Sequence, residues 1–248
     1  MSTQENVRIG GFAIRKTTSA DLAAYLLMRR QQGEQVALFF ANTNFIVQCR
    51  DLHVRMAQEG IVIVNDGVGM DIAANLMQGE HFEENLNGTD FVPFLFRQSA
   101  TPLRVFMIGG KPGVLRQAAL YATRQLGQIV VGMCDGYRCV KTKQNLLETI
   151  NRAQADILLV ALGNPIQEKW ILDYRRHLNV PILAGVGALF DFWGGDKPRA
   201  PILVQKMRME WFFRLCLEPN RLAQRYTVDI AKFLKYCYQY RLDDRPRG

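Results

Sequence analysis

Leu103-Arg104-Val105-Phe106-Met107-Ile108-Gly109-Gly110-Lys111-Pro112-Gly113 decides the reading of this chain. A continuous apolar run ends in paired glycines, and apolar residues then recur at 114, 115, 118, 119, 122 and 126. An unbroken apolar run predicts a strand covered on both faces, and the helical spacing behind it predicts a helix that does the covering. The alternation continues with strand 128–132, helix 142–153, strand 157–162, helix 166–178 and strand 181–185. Upstream, residues 36–41 and 61–64 read as two more strands of the same kind. Strands alternating with helices predict an α/β fold, a Rossmann-like parallel sheet flanked by helices with right-handed crossovers. Residues 1–200 are expected to form this domain, and 201–248 a C-terminal basic helical appendage.

Composition narrows the function classes. With 248 residues, 48% of them apolar, the chain can bury a full core without staples. Of the net charge of +8, +6 lies from Arg199 onward, where eleven Lys or Arg face five acids. There Arg214, Arg221, Arg225, Lys232 and Lys235 alternate with Trp211, Phe212, Phe213, Tyr226, Phe233, Tyr236, Tyr238 and Tyr240. Such a patch fits phosphate groups, anionic lipid or nucleic acid. The five cysteines are scattered, with no C-x-x-C pair, and there are three histidines. Buried free thiols in a reducing compartment are therefore expected, rather than a zinc site or disulfide framework. Residues 1–12 hold no apolar core of a signal peptide, and no run reaches the ~18 apolar residues of a bilayer span. Membrane contact is expected to be peripheral. Phe91, Phe94 and Phe96 fit the face of a homo-oligomer or the core equally well.

Ligands of open parallel sheets sit at the carboxyl ends of the strands. Asp66 follows such a strand and precedes Gly67 and Gly69. It is a candidate general base, although aspartate before glycine is also a common turn pair. The backbone N–H groups of Gly109 and Gly110, at a helix start, can bind a phosphate or a nucleotide edge. The segment lacks both the Gly-Lys-Ser/Thr ending and the G-x-G-x-x-G pattern of known nucleotide loops, and tight-turn chemistry explains its glycines equally. In Gly163-Asn164-Pro165-Ile166-Gln167-Glu168, the proline opens a helix with Gln167 and Glu168 in its first turn. The acid complements the helix dipole, and the amide can bond sugar hydroxyls or a base edge. The C-terminal arginines match the bidentate geometry of phosphate, with a solvated helix face as the plainer alternative.

Taken in order and spacing, these motifs resemble the WecG/TagA/CpsF glycosyltransferase family. The resemblance rests on Asn42-Thr43-Asn44, Asp66-Gly67, Gly109-Gly110-Lys111-Pro112, Asp135-Gly136-Tyr137, Gly163-x-Pro165-x-Gln167-Glu168, Gly185-Val186-Gly187, Phe190-Asp191, Gly195, Arg199-Ala200-Pro201 and Glu210-Trp211. It covers residues 7–240. In one departure, Asn42 stands where several members of the family carry threonine.

The resemblance implies that residues 1–200 are catalytic and that the appendage is helical and membrane-proximal. It implies transfer of a sugar, with inversion, from a UDP-sugar to a polyprenyl-diphosphate-linked sugar. The enzyme would work as a peripheral protein at the cytoplasmic face of the inner membrane. Asp66 corresponds to the catalytic base. Asn42, Thr43, Asn44, Gly109, Gly110, Asp135, Gln167, Glu168, Gly187 and Asp191 are the expected substrate-binding residues. Arg199, Arg214, Arg221 and Arg225 are expected to hold the donor diphosphate. No D-x-D triad lies at a strand end, so no metal or other cofactor is expected, and the arginines would neutralise the leaving group. Glucose is the expected sugar, in exopolysaccharide assembly of the xanthan type. N-acetylmannosamine and its uronic acid are the alternatives within the family. From another class, the basic strap would suit a nucleotide- or nucleic-acid-binding module; a transferase needs no nucleic acid.

Overall fold

The structure, a computed structural model, describes residues 5–136, 143–198, 213 and 230–243. Its strands are β1 (Asn6–Ile9), β2 (Phe12–Arg15), β3 (Val36–Ala41), β4 (Ile61–Asn65), β5 (Arg104–Gly109), β6 (Ile129–Cys134), β7 (Ile157–Ala161) and β8 (Ile182–Gly185). Its helices are α1 (Ser19–Gln31), α2 (Thr43–Gln48), α3 (His53–Met56), α4 (Val68–Gln78), α5 (Gly88–Gln98), α6 (Pro112–Arg124), α7 (Lys143–Arg152), α8 (Ile166–Tyr174), α9 (Leu189–Trp193) and α10 (Ile230–Asp243).

Six strands form one parallel sheet in the order β4-β3-β8-β7-β5-β6. They are the six that the apolar runs predict: five are largely buried on both faces and need no polar alternation, while β6 is a partly exposed edge strand. Successive residues point to opposite faces and feed two apolar layers. Phe39, Ile63, Phe106 and Leu158 pack with α2, α4, α7, α8 and α10. Leu38, Val62, Met107 and Leu159 pack with α1, α5, α6 and α9. The expectation of an α/β sheet flanked by helices holds.

Phe91 and Phe96 of α5 lie in the second layer, with Phe94 packed against it. Of the two readings of these rings, core packing is the one the fold uses. Cys49 and Cys237 are buried free thiols. Cys134 is disulfide-bonded, which corrects the expectation of free thiols throughout. It ends the edge strand β6, half-buried at the margin of the first apolar layer rather than enclosed like Cys49 and Cys237. Among the described residues no helix is long and apolar enough to cross a membrane.

The antiparallel β1–β2 hairpin lies outside the main sheet; Val7, Ile9, Phe12 and Ile14 bury it in the first apolar layer, and α10 covers its turn. Phe233 and Cys237 of α10 are 1% and 3% exposed and belong to the first apolar layer. The ring of Tyr236 covers Gly10, and that of Tyr240 covers Gly11. A Cβ on either glycine would come within 2.9 and 2.8 Å of those rings, closer than carbon atoms pack. Tyr240 also meets His53 edge-on, with centroids 5.9 Å apart. The helix is thus built into the main core, although it belongs to the stretch expected as an appendage. The expected boundary at residue 200 lies outside the described residues.

Candidate active site

The parallel sheet delivers its strand ends to one edge, and the expected site residues follow in strand order. Asp66 follows β4. Asn42, Thr43 and Asn44 follow β3, and Gly187 follows β8. Gln167 and Glu168 come after β7, Gly109 ends β5 with Gly110 next, and Asp135 follows β6. Five interstrand steps of ~4.8 Å separate the two ends of this row, a span of ~24 Å.

At the β3–β4 end, the half-buried Asp66 donates its backbone N–H to the Ala41 carbonyl at 2.7 Å, which carries strand pairing one residue further. Asn42 does two things at once. Its Oδ1 accepts the Phe45 N–H at 3.0 Å and caps α2, while its Nδ2 donates to Asp66 Oδ2 at 3.2 Å. The amide serves both tasks from separate atoms; a threonine hydroxyl would have to serve them from one oxygen. Thr43 opens α2 and lies against Gly69 in the first turn of α4, where a Cβ would meet Thr43 Cγ2 at 2.6 Å. Asn44 follows in the same first turn of α2. Sequence reasoning missed Asn85, whose Oδ1 accepts the Gly67 N–H and fixes the turn beyond Asp66. Its neighbours help: Asn65 Nδ2 donates to the Glu84 carbonyl at 2.7 Å. No motif in the surrounding sequence marks this loop as part of the site.

Mid-row, Gln167 and Glu168 are 3% and 0% exposed. Gln167 Oε1 accepts the Gly187 N–H at 3.0 Å. Glu168 Oε1 accepts amide N–H groups from Gln167 at 2.7 Å and Asn164 at 2.6 Å. Burial pushes the Glu168 carboxyl up to about 7, against these two donors, which favour its charged form. The Cys49 thiol beside it is pushed upward by burial and then by the carboxyl's charge. Asn164 is the second residue the sequence reading passed over, although it stands inside a motif singled out there. Fully enclosed, Glu168 reaches a ligand only through Gln167 and Asn164.

At the β5–β6 end, Gly109 has φ +114°, and a Cβ there would collide with the Ala161 carbonyl. Glycine is therefore required for β5 to turn tightly beside β7. Gly136 donates its N–H to the Gly110 carbonyl at 3.2 Å. Asp135 lines an open cavity of about 350 Å³ with Pro112, Leu115, Arg116, Met133 and Cys134. In α9, Asp191 is ion-paired with Lys197 at 3.4 Å. Arg199, Arg214, Arg221 and Arg225 lie outside the described residues. Among the described residues no group of three His, Cys, Asp or Glu side chains could hold a metal ion.

The edge therefore joins a hydrogen-bonded carboxylate, an enclosed polar network and a glycine turn at a helix start. A family model covering nearly the whole chain, residues 7–247, matches it as well, and the chain belongs to the glycosyl transferase WecG/TagA/CpsF family.

Proposed function

We propose that this chain is an inverting glycosyltransferase that moves glucose from a UDP-sugar to a polyprenyl-diphosphate-linked sugar in exopolysaccharide assembly. It works peripherally at the cytoplasmic face of the inner membrane, where the lipid-linked acceptor lies. The observation that carries this reading is the Asn42–Asp66 contact at the carboxyl edge of the sheet, 3.2 Å long. It holds a carboxylate at the strand end where such folds receive their ligands.

In the reaction, an acceptor hydroxyl attacks the anomeric carbon from the face opposite UDP. Asp66 takes the hydroxyl proton as the new glycosidic bond forms and the bond to the UDP oxygen breaks. The departing pyrophosphate is steadied by Arg199, Arg214, Arg221 and Arg225, whose guanidinium groups match phosphate oxygens. Transfer is metal-independent in this scheme, and activity persists in excess EDTA; strict Mg²⁺ or Mn²⁺ dependence would refute that part. The glycine turn and Asp135 take the nucleotide end of the donor, with the sugar directed along the row toward Asp66. Glucose is preferred over a uronic acid because a carboxylate-bearing sugar needs a further cation beside it, and no motif of the sequence marks one out for that role.

The experiment is incubation of the protein with a panel of UDP-sugars and a synthetic polyprenyl-diphosphate-linked sugar, read by product mass. UDP-glucose gives product, and Asp66→Asn lowers turnover by ~10²–10⁴-fold while UDP binding persists. Full turnover by Asp66→Asn would remove the base from the mechanism.

A further inference from the structure

A buried carboxylate with an unpartnered oxygen is costly and calls for an explanation. Glu168 is such a group. It is 0% exposed, Oε1 takes both amide donors, and Oε2 has no hydrogen-bond partner. The network around it runs in one direction. Asn164 and Gln167 both donate to Glu168, and Gly187 donates to Gln167. Glutamine can turn its amide either way, since its oxygen and nitrogen occupy similar positions. A carboxylate beside Nε2 removes that choice, because an anion accepts from N–H and repels the amide oxygen. With Nε2 held by Glu168, Gln167 Oε1 must face the Gly187 N–H. Gly187 begins the turn into α9, which carries Asp191.

We propose that Glu168 is a positioning residue: its enclosed carboxyl fixes the amide orientation of Gln167 and thereby pins the Gly187–Asp191 segment in the form that receives the donor. The last clause rests on the reading of this edge as the donor site; the pinning itself does not. The groups facing the carboxyl are Asn164 and Gln167 from the start of α8 and Cys49 from the end of α2. Its titration near neutrality agrees with this arrangement. A proton placed on Oε2 leaves Oε1 accepting both amides, so the pinning survives neutralisation. A glutamine at 168 can do the same, with Oε1 as the shared acceptor and its NH₂ where Oε2 stood. Alanine cannot.

The test compares Glu168→Ala and Glu168→Gln in the full-length protein, with two readouts. Hydrogen–deuterium exchange of the peptide spanning 185–191 reports the pinning without any ligand, and calorimetry with UDP reports its consequence. Glu168→Ala should speed exchange in that peptide by roughly tenfold or more, while β3 and β5 peptides stay protected. It should also weaken UDP binding by about tenfold. Glu168→Gln should recover most of both. Wild-type exchange rates in Glu168→Ala would overturn the proposal. So would a Glu168→Gln protein that keeps loop protection yet binds UDP as poorly as Glu168→Ala, since the carboxylate would then act on the ligand directly. Absence of UDP binding by the wild-type protein would instead sink the donor-site reading and leave the exchange result standing.

Discussion

Replacing Glu168 with glutamine should change how stability depends on pH, and the change can be worked out from the structure. Burial raises the carboxyl from 4.5 to about 7, with Gln167 and Asn164 opposing the rise. Native protein therefore holds a proton that the unfolded chain gives up between those two values. The resulting stability is fully present below about pH 4.5 and is lost as pH climbs through about 7. At roughly 1.4 kcal/mol per pH unit, the loss is about 3 kcal/mol. The side chain is fully enclosed, so solvent screening does not shrink it. Glutamine keeps the shape and one acceptor oxygen but cannot ionise. In urea unfolding between about pH 4.5 and 8, the variant's stability relative to wild type should rise by about 3 kcal/mol, most steeply midway between the two values, near pH 6. Differencing the two proteins cancels every other titrating group. A difference that stays flat across the range would refute the argument, because the carboxyl would then titrate alike in folded and unfolded chains.

Three further outcomes follow from the packing. Gly109→Ala forces a Cβ onto the Ala161 carbonyl at a φ of +114° and should cost about 3 kcal/mol or more, read as a drop in Tm. Phe233→Ala removes a ring that is 1% exposed and should cost ~3–4 kcal/mol in urea unfolding; an unchanged midpoint would mean that α10 is not part of the core. Asn42→Ala strips the cap of α2 and the contact to Asp66 together. It should lower stability by ~1 kcal/mol and lower turnover as well, whereas a stability loss with full turnover would separate the two roles.

The six-stranded sheet was legible because strands buried on both faces need no polar alternation, so 36–41 and 157–161 stand out as unbroken apolar runs. The β1–β2 hairpin was not. Its strands have four residues each, they bury Val7, Ile9, Phe12 and Ile14 against distant parts of the chain, and their turn is covered by tyrosines more than 200 positions away. Placing Asp66, Asn42 and Gln167 on one edge needed only the rule that parallel strands present their carboxyl ends together. The network around them was hidden for two reasons. Asn85 reaches Gly67 from a loop without a motif, and Glu168 looks from its spacing like any acid at a helix start. Burial alone distinguishes it, and burial depends on what α2 and β8 bring to it. The arginines expected at the diphosphate lie outside the described residues.

The tyrosine-covered hairpin has a consequence for biosynthesis. The turn at Gly10 and Gly11 is made more than 200 residues before its lid, Tyr236 and Tyr240. Domains ordinarily fold as units while the chain is being made, beginning from the N-terminus. Here the cover of the hairpin turn must wait for α10, and so must the part of the apolar layer that Phe233 fills. A stop codon ahead of residue 230 would therefore leave this layer open on the side that Phe233 fills and the turn at Gly10 and Gly11 bare of its two rings.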